Sequence, residues 1–243
     1  MKVVIFATDR GVRLDAFPRS TACSFLPIRG IPVIEHTLNK LQLLKSAGEI
    51  MILTHPHFAA RFREWLPGYH SRVPVRVIEN SPCSFRDSRG ALRAFSVLVE
   101  KENIREEVLA LGADNIFSCA LEALIACGRR HGDPVVGVYE MNGNLKPRQY
   151  GIVKYDDQRR ITEFTEKPSY LNGSRTVSTC VYYFPAASLR EISVYVRKNP
   201  EPETLGKYIE WLSREKTVRA FPLGGTWFDL GKPDAYEEAV FSF

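Results

Sequence analysis

The first residues that could carry out chemistry lie in a loop that follows a short apolar strand at the start of the chain. Residues 3–7 are Val-Val-Ile-Phe-Ala, and the loop after them contains Arg10, Gly11 and Arg13. Open α/β sheets bind ligand phosphates where such a strand leads into a loop and a helix, because backbone N–H groups and the helix end supply positive potential there. The opening of the chain therefore predicts a site for a phosphorylated ligand.

The pattern of apolar residues predicts the elements that would position this loop. Over residues 1–140, short apolar runs alternate with segments that carry apolar residues at helical spacing. Strands are predicted at 2–7, 50–54, 75–79, 108–112 and 134–139, and helices at 33–47, 58–66, 90–100 and 120–130. Such alternation favours a Rossmann-like α/β fold, in which a mostly parallel twisted sheet carries helices on both faces.

The second half of the chain has a different pattern. Residues 150–155 and 160–166 are separated by the polar turn 156–158, which predicts an antiparallel hairpin. A strand at 177–184, helices at 187–197 and 204–214, a strand at 218–222 and a final segment at 227–239 are predicted after it. No internal repeat or low-complexity linker divides the sequence, so we predict a single domain over residues 1–243.

Composition excludes several classes of protein. The formal charge of +5 comes from 33 basic and 28 acidic residues without a clustered basic run, so no nucleic-acid partner is expected. The five cysteines have no CxxC spacing, and His55 and His57 lack a third ligand, so a zinc site is not expected. No long apolar segment predicts a signal peptide or a membrane span. We therefore expect a cytoplasmic protein that does not bind a membrane.

Five motifs follow one another along the chain. Residues 6–14 stand in the place of a LAGGxGTRL motif, and Ser-Arg-Gly-Ala-Leu at 88–92 stands in the place of TAGAL. Residues 109–117 are similar to a strand that ends in GDNIF, and residues 150–153 with 164–168 are similar to a YGVV and FxEKP pair. Residues 227–236 resemble WxDxGTPxxY. In this order the motifs resemble those of the sugar-1-phosphate nucleotidyltransferase family, such as glucose-1-phosphate thymidylyltransferases and mannose-1-phosphate guanylyltransferases.

The resemblance implies the nucleotide-diphospho-sugar transferase fold, with a nucleotide-binding half at about 1–140 and a sugar-binding half at about 141–243. Its implied reaction joins a nucleoside triphosphate to a sugar-1-phosphate and releases pyrophosphate, in sugar nucleotide biosynthesis. Its implied cofactor is Mg²⁺, held by Asp114 and Asp229, since this ion usually takes one or two protein carboxylates. No further C-terminal domain is expected after Phe243, and assembly into a homo-oligomer is a possibility that the family suggests.

The resemblance also implies a role for each site residue. Arg13 would contact the leaving phosphates, and Lys167 would neutralise the sugar phosphate. Together with Asp114 and Asp229 they form the implied catalytic set. The implied nucleotide-binding residues are Ala7, Gly11, Arg13, Gly90 and Asp114. The implied sugar-binding residues are Tyr150, Gly151, Glu166, Lys167 and Trp227.

Each of these roles has a purely structural alternative, which the residues leave open. Asp114 could cap a turn or a helix, and Asp229 could belong to a turn. Arg13 could form a surface salt bridge, and Lys167 could be a solvated loop lysine.

The sequence departs from the family pattern in the phosphate-binding loop. Thr8 and Asp9 replace two family glycines, and Cys23 replaces the family lysine. Loss of one placed charge near a reacting phosphate costs ~100 to 1,000-fold in rate by analogy with an oxyanion donor. Three hypotheses follow: an enzyme with a remodelled loop, a catalytically silent family member that binds a sugar nucleotide or sugar phosphate and regulates an active partner, or an unrelated α/β ligand-binding module. Cys23→Lys would raise the rate if the rest of the site is competent, and would do nothing if Thr8 and Asp9 also block triphosphate binding.

Overall fold

The computed structural model describes residues 1–7, 22–80, 90–141, 146–171, 173–199 and 204–243. Within these ranges the first half of the chain alternates strands and helices, as the sequence predicts. Its elements are β1 (Lys2–Ala7), β2 (Pro27–Ile28), β3 (Ile31–Pro32), α1 (Val33–Leu41), β4 (Glu49–Thr54), α2 (Pro56–Trp65), β5 (Val75–Glu79), α3 (Ala91–Lys101), β6 (Val108–Gly112), β7 (Asn115–Phe117), α4 (Glu122–His131) and β8 (Val135–Glu140).

The second half begins with the predicted antiparallel hairpin. It comprises β9 (Gly151–Tyr155), β10 (Ile161–Glu166), β11 (Thr176–Phe184), α5 (Leu189–Lys198), α6 (Leu205–Glu215), β12 (Arg219–Pro222), β13 (Trp227–Asp229) and α7 (Pro233–Ser242). Strands β9 and β10 pair antiparallel, with Glu166 opposite Gly151. Among the described helices none is both long and apolar enough to cross a membrane.

Nine of the described strands form one mixed sheet. Its main path runs in the order β10-β9-β11-β6-β1-β4-β5, and β8 pairs with β11 on one side and β12 on the other. Strands β6, β1, β4 and β5 are parallel, which confirms the parallel sheet predicted for the first half. Strand β11 is antiparallel to both β6 and β8. The second half is thus woven into the sheet of the first half.

Alternating side chains of the sheet bury two separate cores. Val3 and Ile5 of β1 face a core that is covered by α1, α2 and α4, whereas Val4 and Phe6 face one covered by α3, α5 and α6. Because successive residues of a strand point to opposite faces, a run without polar residues, such as β1, must be covered on both faces. The helices on both faces confirm the predicted layer arrangement.

The first helix is shorter than the sequence predicts. It ends at Leu41 instead of residue 47, because the N–H groups of Leu43, Leu44 and Ala47 donate to carbonyls three residues back, so the chain continues in turns instead of a helix. Leu44 is nevertheless buried in the core, and it lies beyond the helix end in these turns. The apolar spacing therefore identified buried residues correctly and the helix end incorrectly.

Candidate functional site

A cavity opens at the carboxyl ends of the parallel strands β1 and β6. It has a volume of about 170 Å³, and its walls include Phe6 at the end of β1 and Gly112 at the end of β6. Asp114, Asp229 and Lys232 line it, and so do Glu166, Lys167 and Gly206. Ligands of open α/β sheets bind outside the carboxyl ends of the strands. The described residues that the motifs single out thus meet where this architecture places a ligand.

A short ribbon of two strands brings the two aspartates together. Strands β7 and β13 pair antiparallel, with Asp229 opposite Asn115, and the Leu230 N–H donates to the Asp114 carbonyl at 2.8 Å. A Cβ on Gly231 would lie 2.8 Å from Asp229 Oδ1 and 3.2 Å from Asp114 Oδ2, so these two oxygens are no more than about 6 Å apart. The carboxylates therefore face one shared space, as the sequence motifs implied.

A chain of hydrogen bonds orients Asp114. The indole N–H of Trp227 donates to Asn115 Oδ1 at 2.7 Å, and the Asn115 amide donates to Asp114 Oδ1 at 2.8 Å. A Cβ on Gly112 would lie 2.7 Å from the same Asp114 oxygen, so this close approach requires a residue without a side chain. The Trp227 side chain, which is buried, thus positions an aspartate as well as lining the cavity.

Asp229 is held by its own turn and by a lysine. Its Oδ1 accepts from the Gly231 N–H at 3.0 Å, and its Oδ2 lies 2.7 Å from the Lys232 ammonium nitrogen. Burial lowers the pKa of Lys232, but the attraction and hydrogen bond of Asp229, followed by Tyr150 and Asp114, outweigh burial and raise it overall. Burial, and then the Asp229 carboxylate, raise the pKa of Tyr150 to about 12, so its hydroxyl keeps its proton at neutral pH.

The chemistry of this acidic pair suits one hard divalent cation. One oxygen of each aspartate borders the same space, and such an ion needs only one or two protein carboxylates with water and phosphate oxygens as the remaining ligands. Among the described residues no group of three or more histidine, cysteine or acidic side chains could hold a metal. The assignment of Mg²⁺ to Asp114 and Asp229 stays a prediction.

Glu166 lies in a tight cradle between two glycines. A Cβ on Gly206 would come within 2.0 Å of Glu166 Oε2, and one on Gly151 would lie 3.0 Å from the same oxygen. The Thr204 hydroxyl donates to Glu166 Oε1 at 3.1 Å while it accepts from the Lys207 N–H to cap α6. Burial raises the pKa of Glu166, although Lys167 and Thr204 oppose the shift. The carboxylate is thus fixed at the cavity wall before any ligand binds.

Lys167 follows Glu166 in an unusual backbone conformation. Its φ is 48°, in the left-handed region that residues other than glycine seldom adopt. The Lys167 N–H donates to the Tyr150 carbonyl at 3.0 Å, which holds the turn. Its ammonium group, on a side chain that is 48% exposed, lies 4.0 Å from Glu166 Oε1. This geometry directs a cation into the cavity next to the buried carboxylate.

The remaining predicted residues divide into three groups. Tyr150, Gly151 and Trp227 line the cavity. Ala7 and Gly90 are buried and are the chain neighbours of the lining residues Phe6 and Ala91, and Gly90 is the residue that precedes α3. Gly11 and Arg13, together with the substituted Thr8 and Asp9, lie outside the described residues. The roles assigned to all of these residues stay predictions.

Cys23 does not border the cavity. Its side chain is 4% exposed and packs in a third apolar cluster with Ile116, Phe228 and Leu230, on the back of the β7–β13 ribbon. Asp229 and Asn115 alternate with these apolar residues along the two strands and therefore point to the opposite face. The structure thus does not support the gain in rate that the sequence predicts for a lysine at this position.

We expect Cys23→Lys to destabilise the protein instead. An ammonium placed in this apolar cluster would lose its water, and the melting temperature should fall by roughly 5 °C or more. Cys23→Met, which has a side chain of similar length without the charge, is the matched control and should lose less. A melting curve of each variant measures the effect, and equal stability of Cys23→Lys and the natural chain would contradict this placement.

Sequence reasoning missed four residues of this site. Thr204 and Gly206 contact Glu166 from a distant segment, and Asn115, which follows Asp114 in the chain, is fixed by Trp227 from another distant segment. No local pattern reveals these contacts. Lys232 had a visible signal, because it replaces the threonine of the WxDxGTPxxY motif. Only the structure shows that this lysine contacts Asp229.

Comparison with known proteins identifies relatives along nearly the whole chain. The family model described as nucleotidyl transferase matches residues 2–242. The bifunctional protein GlmU of Methanococcus aeolicus is 24% identical over 96% of this chain, which spans about half (52%) of that relative's length. The UTP–glucose-1-phosphate uridylyltransferase AglF of Haloferax volcanii is 24% identical over 98% of this chain and 95% of its own.

A solved structure shares the fold. A crystal structure from Bacillus anthracis, of a protein named as a candidate glucose-1-phosphate thymidylyltransferase in complex with a sucrose, aligns with a TM-score of 0.83. The alignment covers 98% of this chain and 93% of the other at 20% identity. At this level of identity the likeness supports the architecture described above.

Proposed function

The chain belongs to the nucleotidyl transferase family, and from this premise we propose that it transfers a nucleotidyl group from a nucleoside triphosphate to a sugar-1-phosphate. The products are a nucleotide-sugar and pyrophosphate. One observation carries the proposal: a single cavity is lined both by an acidic pair, Asp114 and Asp229, and by a largely buried carboxylate with a neighbouring cation, Glu166 and Lys167. The acidic pair suits the reacting phosphates of the triphosphate, and the carboxylate with its cation suits the sugar phosphate that accepts the nucleotidyl group.

We assign Glu166 and Lys167 to the acceptor. A buried carboxylate fixed by Thr204 can accept hydrogen bonds from sugar hydroxyl groups, and the adjacent ammonium can neutralise the phosphate of the same molecule. Gly151 and Gly206 leave room for the carboxylate in this place, so the site is shaped before the acceptor binds. Such preorganisation reduces the entropy lost on binding.

We assign Asp114 and Asp229 to the reacting phosphates. In the reaction an acceptor phosphate oxygen forms a bond to the α-phosphorus while the bond from that phosphorus to pyrophosphate breaks. Anionic groups therefore flank the phosphorus on both sides, and negative charge develops on the leaving pyrophosphate. A Mg²⁺ ion bound by the two aspartates would supply positive charge there. The chain from Trp227 through Asn115 holds Asp114 in position for this role. Arg13, outside the described residues, is proposed to contact the leaving phosphates.

A pyrophosphate-release screen tests the proposal. The purified chain is incubated with Mg²⁺, a panel of sugar-1-phosphates and each of the five common nucleoside triphosphates, because the uridylyl- and thymidylyltransferases among its relatives are named for different bases. Release with at least one pair, and none without the sugar phosphate, is expected. Binding of a nucleotide or sugar phosphate without release in any combination would instead favour a silent family member that regulates an active partner.

A further inference from the structure

Lys232 places a cation against the acidic pair from within the chain itself. Its ammonium nitrogen lies 2.7 Å from Asp229 Oδ2 and 5.5 Å from the centre of the Tyr150 ring. Only 25% of its side chain is exposed, and it lines the same cavity as both aspartates. The face of an aromatic ring attracts a cation, so two neighbours hold the ammonium in this position.

This contact engages one of the two carboxylate oxygens of Asp229, which is a candidate metal ligand. Asp229 has two carboxylate oxygens, of which Oδ2 bonds Lys232 and Oδ1 borders the space shared with Asp114. Oδ1 also accepts the Gly231 N–H, so neither oxygen lacks a partner. A cation that binds to Asp229 must therefore share its charge with an ammonium that is already in place.

We propose that Lys232 is an internal counter-ion of the acidic pair, which weakens the binding of a divalent cation by Asp114 and Asp229 in the substrate-free protein. The inference rests on the proposed function, because it concerns the same two aspartates. Two cations drawn to one carboxylate repel each other, and this repulsion costs roughly ten-fold in affinity for a divalent ion even at the dielectric constant of water. The anionic phosphates of a substrate balance both charges, so the ion is retained together with them.

Titration of the nucleotide-free protein with Mn²⁺, followed by electron paramagnetic resonance, tests the proposal without any measurement of activity. We expect Lys232→Met to bind Mn²⁺ ~10-fold more tightly than the natural chain, or more. Lys232→Arg retains the charge and should bind as weakly as the natural chain. Lys146→Met is the matched control, since it removes the same charge from an exposed pair with Asp234, and its affinity should not change.

Several results would overturn the inference. The inference is wrong if Lys232→Met binds Mn²⁺ no more tightly than the natural chain. It is also wrong if Lys146→Met gains as much Mn²⁺ affinity as Lys232→Met. Absence of Mn²⁺ binding in every variant would also overturn it. Lys232→Thr serves as a second variant if Lys232→Met does not fold. The pyrophosphate screen is independent of this titration, so release of pyrophosphate without a change in Mn²⁺ affinity would reject the counter-ion and leave the proposed function standing.

Discussion

Replacement of either aspartate by asparagine, in Asp114→Asn or Asp229→Asn, is expected to lower the rate of pyrophosphate release by ~100-fold or more. A hard cation needs anionic oxygen ligands, and an amide keeps the shape of the side chain while it loses the charge. In Asp114→Asn the amide oxygen can still accept the hydrogen bond from Asn115, so the local fold should survive. The measurement is the initial rate of pyrophosphate release with saturating substrates.

The hairpin turn supplies a matched control for this prediction. Asp157 is an exposed aspartate between β9 and β10, and Asp157→Asn removes the same charge away from the cavity. Its rate should equal that of the natural chain. A chelator should abolish the activity, and added Mg²⁺ should restore it in the natural chain and in the control. Full activity in Asp114→Asn or Asp229→Asn would remove that aspartate from the site.

Gly206→Ala is expected to raise the KM for the sugar phosphate by about ten-fold or more. The added Cβ would lie 2.0 Å from Glu166 Oε2, and Gly151 leaves little room on the other side, so the carboxylate must leave its cradle. Loss of one hydrogen bond to a charged group costs ~1.5 to 3 kcal/mol, which corresponds to about ten-fold to one hundred-fold in binding. Steady-state kinetics with varied sugar phosphate measure the change.

Helix propensity makes the opposite prediction for this substitution. Alanine is favoured over glycine inside a helix by ~1 kcal/mol, and Gly206 is the second residue of α6. If propensity decided the outcome, Gly206→Ala would melt at a higher temperature and keep its KM. Gly68→Ala is the control, because a Cβ there meets no atom within 4 Å, and both its KM and its stability should change little. An unchanged KM in Gly206→Ala would mean that Glu166 does not hold the acceptor.

The sequence was sufficient to predict the order of elements in the first half, and its motifs single out residues that the structure brings together, although their roles stay predictions. The apolar runs of β1, β4, β5 and β6 and the helical spacing between them predict a parallel sheet that is covered on both faces. The motifs identify Asp114, Asp229, Glu166 and Lys167, and the structure brings these four residues to one cavity. Local periodicity therefore predicts the covered parallel sheet, and motif order singles out these four cavity residues.

The features that the sequence did not predict depend on pairing between distant segments. Strand β11 lies between β6 and β8, so β8 does not extend the parallel group, and nothing in either sequence segment specifies that neighbour. Strands β7 and β13 have three residues each, too few to show a period, although their pairing is what joins the two aspartates. The burial of Cys23 behind this ribbon follows from the same pairing.

Transfer of a labelled nucleotide is the measurement that tests the central claim most directly. The chain is mixed with Mg²⁺, a nucleoside triphosphate labelled at the α-phosphate and the sugar-1-phosphate selected in the screen, and the products are separated and identified by mass. We predict that the label appears in a nucleoside diphosphate sugar, in an amount equal to the pyrophosphate released, and that Asp229→Asn forms almost none. Label that remains in the triphosphate while both substrates bind, or pyrophosphate released without a nucleotide-sugar, would contradict the account.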